Sequence, residues 1–321
     1  MQTVSEIGER RLIAMFTEAA TSTADDVVIG SGDDAAVFTA TGPVVVSTDT
    51  AVSGRHFRFD WSSPEQIGAR TVVQSAADIA AMGGRLTGVT VSLGCPPETP
   101  VDRLLEVNAG IVAQTHSYGA RVLGGDLVSS PAMVITVTSM GVLDDVAPVT
   151  LAGARAGDVL AVSGPLGGAA GGLALLSAID HGADPSLLDR HPSVVAGFRL
   201  PQPDPRQGPK AARVGATAMT DVSDGLVEEL VTMSASSGVR LDVSSAAVPR
   251  ATDLDEVGRD LGVDPVRWAL AGGEDHVLLA AFSDAMPDGW TRIGTVSDGA
   301  GAYVDGEPVG SLRGWQSFST T

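Results

Sequence analysis

The residues with the most to say about chemistry are six aspartates: Asp34 in "GSGDDA", Asp49 in "VVVSTDT", Asp78 in "SAADIAAMG", Asp126 in "VLGGD", and Asp221 and Asp224 in "TDVSDG". Three of these segments share a form. An apolar run (Val44–Val46, Arg121–Leu123 or Ala216–Met219) leads into a carboxylate set among hydroxyls or glycines. Open α/β sheets hold ligands beyond the carboxyl ends of their strands. The three acids are therefore expected just past strand ends, where they converge. Asp78 lies in an otherwise apolar helical stretch, where a carboxylate is costly to bury unless paired or metal-bound. Six clustered acids repel one another and hold protons more tightly unless cations join them. Hard oxygen ligands, with the hydroxyls of Ser47 and Thr48 beside Asp49 and no paired His or Cys, select Mg2+, Mn2+ or Ca2+ over zinc. The set reads as a multi-magnesium site for a polyphosphate. Taken singly, Asp33, Asp221 and Asp224 serve equally well as turn or N-cap residues, Asp224 before "GLVEEL" above all.

Other segments carry weaker signals. The glycine-rich "SGPLGGAAGG", Ser163 to Gly172, either lays backbone amides on a phosphate at a helix N-terminus or makes a tight turn with close helix packing; the second reading is favoured. His56, just after the "STDT" acids and flanked by Arg55 and Phe57, is placed to hydrogen-bond a substrate. Glu274 follows Gly272-Gly273, where a carboxylate recognises an amine or cation, or simply closes a turn. His276 reads as strand packing. Cys95, followed by two prolines and with no base nearby in sequence, reads as a buried inert thiol.

The elements that position these residues follow from periodicity and turn signals. The 321-residue length allows two domains. Aromatic residues make up only 4%, so the core must be built from Ala, Val and Leu. No apolar run is long enough to span a membrane, and the amphipathic, charged N-terminus does not read as a signal peptide; a cytoplasmic protein is expected. A net charge of −19 argues against nucleic-acid binding through a basic surface. The single lysine, Lys210, lies in the Pro/Gly-rich "RQGPKAAR": a P-loop and a protein-kinase fold are excluded, and the setting argues against a Schiff-base enzyme. "SSPEQIGARTVVQSAADIAAMGG" is a helix with Ser63 as N-cap, Gln66 completing a capping box and Gly83-Gly84 ending it. Strands and helices alternate on both sides of a boundary in Asp144–Gly157. The Pro-rich stretch after Asp184 reads as loop with one short helix. The expected class is α/β (α+β mixed), in two domains, 1–148 and 149–321.

In order along nearly the whole chain, "GSGDDAAVF", "STDTAVSGRHF", "DIAAMGG", "VLGGD", "DVSDGL" and "AGGEDHVLL" together resemble the thiamine-monophosphate kinase family. The resemblance implies the two-domain fold of aminoimidazole ribonucleotide synthetase, with an N-terminal ATP- and Mg-binding domain whose sheet forms a homodimer interface. It implies ATP-dependent phosphorylation of thiamine monophosphate to thiamine diphosphate. By motif, it assigns magnesium to Asp34, Ser47, Thr48, Asp49, Asp78, Asp126, Asp221 and Asp224, and ATP to Gly125, Asp126 and Ser223. Thiamine monophosphate falls to His56, Glu274 and Trp315. Leu151 stands where the family pattern has an ATP-contacting Arg, Arg10 where it has an aromatic residue, and His276 where Tyr is common.

Overall fold

The computed structural model describes residues 2–20, 27–31, 35–310 and 312–314; Asp33 and the expected site residues Asp34 and Trp315 lie outside them. The chain divides into two compact units, Met1–Ile79 with Gly84–Asp145, and Ala80–Gly83 with Val146–Thr321.

The first unit runs α1 (Val4–Ile7), α2 (Glu9–Ala20), β1 (Val27–Ile29), β2 (Val37–Phe38), β3 (Val44–Val52), α3 (Pro64–Ala81), β4 (Arg85–Cys95), α4 (Val101–Ser117), β5 (Arg121–Ser129) and β6 (Val134–Val142). Its main sheet has the order β3-β6-β4-β5. β6 is antiparallel to both its neighbours, whereas β4 and β5 are parallel, as their connection through α4 requires. On one face Val72, Ala76 and Ile79 of α3 and Leu104, Val107 and Ile111 of α4 share a core with Val89, Leu93, Ile135 and Val137 of the sheet. Leu12 of α2 and Phe57 are buried in the same core. The capping box of α3 is present: Ser63 N–H donates to Gln66 Oε1 at 3.0 Å and Gln66 N–H to Ser63 Oγ at 3.3 Å. α3 and α4 approach at two glycines. A Cβ on Gly68 would stand 2.0 Å from the Val107 carbonyl oxygen, and one on Gly110 2.0 Å from the Glu65 carbonyl oxygen.

Two expectations change here. A run as apolar as Val44–Val46 suggests a buried strand, yet Val44 and Val46 are 48% and 60% exposed, because β3 is an edge strand with one uncovered face. Nor do β3 and β5 stop before their acids. β3 continues through Ser47, Thr48, Asp49 and Thr50, each paired to β6 at Ser139, Thr138, Val137 and Thr136. β5 continues through Asp126, paired to Ser92 of β4. β-branched threonines favour the pleated surface, and the ladder extends over polar residues as long as each finds a partner.

The second unit runs β7 (Val159–Val162), α5 (Gly168–Asp180), α6 (Leu187–Arg190), α7 (Pro192–Arg199), α8 (Gln207–Val214), β8 (Ala216–Asp221), α9 (Leu226–Ser237), β9 (Arg240–Val243), α10 (Leu254–Leu261), α11 (Pro265–Ala271), β10 (Leu278–Phe282), β11 (Thr291–Ser297), β12 (Gly301–Val304) and β13 (Glu307–Pro308). The sheet order is β13-β12-β9-β11-β7-β10-β8, antiparallel except between β12 and β9. β10 reads as a continuous apolar run because both its faces are covered. Leu279 and Ala281 join the large core with Leu175, Leu226, Leu230, Leu254 and Leu270. Leu278, Ala280 and Phe282 join a second cluster with Met219, Ala211 and Trp290. The stretch after Asp184, expected to be mostly loop, holds three helices, α6 to α8. Pro192 opens α7 at its first turn, where its missing N–H costs nothing.

Candidate active site

The first unit presents its acids on both faces of the main sheet. Side chains alternate along a strand, and directly paired residues share a face. Asp49, paired with Val137, therefore lies on the helix-covered side, together with Ser47. Ser47 Oγ donates to Asp78 Oδ2 from α3, and Ser75, one turn earlier, donates to the Val137 carbonyl at 3.1 Å. α3 is thus pinned to the centre of the sheet with Asp78 over Ser47. Asp126 is paired with Ser92, which in turn faces Thr136, so it shares the opposite, open face with Thr48 and Thr50. There Thr48 and Thr138 hydroxyls lie 3.0 Å apart, and those of Thr50 and Thr136 2.9 Å. Asp126 and its neighbour Gly125 are exposed. Convergence of Asp49 and Asp126 within one sheet is thereby corrected: they project from opposite faces of strands three spacings of about 4.8 Å apart.

His56 sits in the turn after β3. The Val52 N–H donates to His56 Nδ1 at 3.0 Å. That bond leaves the ring proton of the neutral imidazole on Nε2, an N–H donor for an acceptor outside the turn. Phe57 beside it is 5% exposed and anchors the turn in the core, edge-on to Phe59. Burial pushes the Cys95 thiol up, in keeping with an inert sulfhydryl.

In the second unit, β8 does end at its acid. Asp221 is its last residue, and Val222, Ser223, Asp224 and Gly225 make the turn into α9. The N-cap of α9 is Gly225 with no side-chain cap, so the capping reading of Asp224 is not what the structure has. Asp224 holds its proton more tightly than usual, first through burial and then through the charges of Glu274, Asp221 and Glu228. Glu229, in the first turn of α9, is pushed up to about 7 by burial and by the Asp221 charge. Its carboxylate accepts from Asp224 N–H at 3.4 Å and lies 3.5 Å from Ser223 Oγ. Glu229 was not singled out from sequence; its signal was the pair Glu228-Glu229 directly after "SDGL", which also suits any helix N-terminus.

The loop Gly272–His276 docks on this turn. Glu274 N–H donates to the Ser223 carbonyl at 2.7 Å, and His276 N–H to the Val222 carbonyl at 3.0 Å. His276 was read as strand packing. It instead precedes β10, with φ at +55°, and its buried ring is paired with Asp221. Burial alone would pull its pKa down; the hydrogen bond it donates to Asp221 and the nearby Glu274 carboxylate outweigh that and hold it raised. Asp275 turns the other way. Its carboxylate accepts from Gly167 N–H at 2.6 Å and Ala169 N–H at 3.0 Å, capping α5. The amides of "SGPLGGAAGG" are thus satisfied from within, and Gly172 lets α7 approach, with a Cβ there 2.3 Å from the Val194 carbonyl. Leu151, half-buried, packs against the large core.

Burial pushes the carboxyl of Asp275 up to about 6 against its two backbone donors. A raised acid pKa means that the folded state binds the proton more tightly. The resulting stability is complete below the unfolded value near 3.8 and is lost as pH rises through about 6. Asp275→Asn, neutral throughout, is expected to flatten urea-unfolding stability between pH 4 and 7 by up to roughly 3 kcal/mol, at about 1.4 kcal/mol per unit. An unchanged slope would remove Asp275 as its source.

These donor sets suit magnesium in one particular way. Among the described residues no three acid or imidazole side chains gather closely enough to chelate an ion by themselves. Mg2+ is commonly held by one or two carboxylates together with substrate phosphates. Hard oxygens arranged as Ser47 with Asp78, Asp49 beside them and Asp221 near Asp224 fit that mode; burial is the main cause of the rise at Asp224, and the acidic neighbours that add to it are what a cation would offset.

Comparison with known proteins gives one consistent result. Residues 32–143 match the family model for the AIR synthase related protein N-terminal domain, and residues 155–305 that for its C-terminal domain. Thiamine-monophosphate kinase of Mycobacterium tuberculosis is 44% identical over 98% of this chain and 93% of its own. The enzyme of the same name from Corynebacterium glutamicum is 40% identical over 98% and 95%. Among solved structures, thiamine-monophosphate kinase from Stenotrophomonas maltophilia superposes with a TM-score of 0.78 at 32% identity, covering 93% of this chain and 96% of that one. AaThiL complexed with AMPPCP and TMP reaches 0.78 at 27% identity over 99% of both. With the AIR synthase related two-domain fold and full-length identity at this level, the chain belongs to the thiamine-monophosphate kinase family.

Proposed function

We propose that this chain transfers the γ-phosphoryl group of ATP to thiamine monophosphate, forming thiamine diphosphate and ADP as the last step of thiamine diphosphate synthesis. The observation that carries the reading is end-to-end similarity to the thiamine-monophosphate kinases, including a relative solved with an ATP analogue and TMP together. A phosphate oxygen of thiamine monophosphate attacks the γ-phosphorus in line, and the bond to the ADP oxygen breaks. The attacking phosphate is already ionised at neutral pH, so no side chain need act as base. Mg2+, when bound, would screen the repulsion between the polyphosphate of ATP and the phosphate of thiamine monophosphate and stabilise charge on the transferring group. Several ions would be held in separate groups: Ser47, Asp49 and Asp78 on the helix-covered face of the first sheet, Thr48 and Asp126 on its open face, and Asp221 with Asp224 in the second unit, with Asp34 as a further ligand carried by its motif. Gly125, Asp126 and Ser223 would meet the nucleotide. His56 would donate from Nε2 to the thiamine phosphate, and Glu274, with Trp315, would face the cationic thiazolium. Residues 1–148 would form the ATP-, Mg- and dimer-forming domain and 149–321 its companion, in a cytoplasmic homodimer. No described helix is long and apolar enough to cross a membrane.

The deciding assay supplies ATP, Mg2+ and thiamine monophosphate and reads both products. Equal formation of ADP and thiamine diphosphate, abolished by a chelator, is expected; ADP or nothing, without thiamine diphosphate, overturns the reading. The dimer has its own test. The open sheet face, with exposed Val44 and Val46 on an edge strand, is a surface for self-pairing. Val46→Glu is expected to shift the mass in light scattering from two chains to one; an unchanged mass places the interface elsewhere.

A further inference from the structure

We infer that His276 is a positioning residue for the phosphoryl transfer, one ring orienting Asp221 through Nδ1 and Glu274 through Nε2, so that the metal-facing and substrate-facing carboxylates are set as one piece. The inference rests on the kinase reading above. Its geometry is direct. The His276 side chain is 4% exposed, Nδ1 lies 3.1 Å from Asp221 Oδ2, and Nε2 lies 3.6 Å from Glu274 Oε2. The first is a hydrogen bond; the second is an ion-pair distance, beyond hydrogen-bond reach.

The backbone is arranged to deliver that ring. Glu274 and His276 both take positive φ, +69° and +55°, which non-glycine residues adopt only where surrounding contacts over-determine them. Here the contacts are the two bonds onto the Ser223 and Val222 carbonyls, and the bond from Val222 N–H to the Val277 carbonyl at 2.8 Å. Gly273 allows the approach: a Cβ there would meet the Ser223 carbonyl oxygen at 2.3 Å. The loop bearing Glu274 is thereby stapled to the turn bearing Asp221, Ser223 and Asp224. A buried packing position calls for an apolar side chain. A ring with a nitrogen aimed at each of two carboxylates has partners that an apolar residue would leave unanswered.

Two isosteric substitutions separate the halves of the device. Asn at 276 keeps an amide nitrogen near the Nδ1 place, and Gln keeps one near the Nε2 place. In His276→Asn, KM for thiamine monophosphate is expected to rise about 10-fold with kcat within about 2-fold; in His276→Gln, kcat is expected to fall about 10- to 100-fold with KM little changed, the range of a lost charged hydrogen bond. Thiamine monophosphate binding by equilibrium dialysis without metal should weaken only in the Asn variant, and Mn2+ binding followed by electron paramagnetic resonance only in the Gln variant. The wild type is assayed first. If it makes no thiamine diphosphate, the kinase reading fails by itself. If it turns over, and both folded variants match it or lose kcat and KM alike, the positioning role is overturned. Should either variant melt early, nitrogen-15 spectra of the wild-type ring decide. Thiamine monophosphate shifting Nε2 and magnesium shifting Nδ1 supports the inference, and no shift at either nitrogen overturns it.

Discussion

Asp49→Asn is expected to lower kcat for thiamine diphosphate formation about 1,000-fold while leaving the melting temperature within about 3 °C of the parent. Asn has the shape of Asp, and position 49 keeps its pairing with Val137 in the middle of β3, so the strand has no reason to move. On the proposed assignment, what is lost is a fixed negative charge that would hold a magnesium ion between ATP and the phosphate of thiamine monophosphate. Removing one well-placed electrostatic partner of a transition state typically costs 100- to 1,000-fold, and 1,000-fold corresponds to about 4 kcal/mol of barrier. An ion held at Asp49 would act on both reactants, which puts the expected loss at the upper end of that range. Steady-state kinetics across a range of magnesium concentration checks it. Part of the loss should return at high magnesium. Near-normal turnover at low magnesium would remove Asp49 from the ligand set.

The second large effect is on stability. Gly110→Ala is expected to cost about 3 kcal/mol or more and to lower the melting temperature by roughly 6–12 °C. The new methyl group would sit 2.0 Å from the Glu65 carbonyl oxygen, well inside contact distance. Flexible side chains swing aside from such an intrusion, but a helix backbone does not. α3 and α4 must separate, and Ile67, Val107 and Ile111, each at most 1% exposed, lose packing with them. Because α3 also carries Asp78 onto Ser47, activity should fall along with stability. Differential scanning calorimetry measures the first, and a loss below about 1 kcal/mol would show that the helices yield easily.

Local chemistry made much of the fold legible. Ser63 and Gln66 announced the start of α3, because a capping box acts through bonds to its nearest neighbours. The strands around Asp49 and Asp126 were cut short, since polar residues at those points look like turns until the hydroxyl ladder on the neighbouring strand is known. The three helices between Leu187 and Val214 were hidden by prolines that open helices as readily as they break them. As for the candidate site, the acids were found by type and motif, but not the faces they occupy. Facing depends on strand register, a long-range property that no window of sequence contains. His276 looked like strand packing for a related reason: its two partners lie at positions 221 and 274, and only one of them is near in sequence.

The loop from Gly273 to His276 has a consequence for how this chain can drift over time. Four successive residues answer to four different demands: room beside the Ser223 carbonyl, a carboxylate at the site, a cap for α5, and a ring against Asp221. Helices and strands spread their constraints periodically, so that every intolerant position has tolerant neighbours. Here there is no free position to absorb a change. A map of all single substitutions would show an unbroken intolerant block, and lineages would inherit the segment whole or replace it whole.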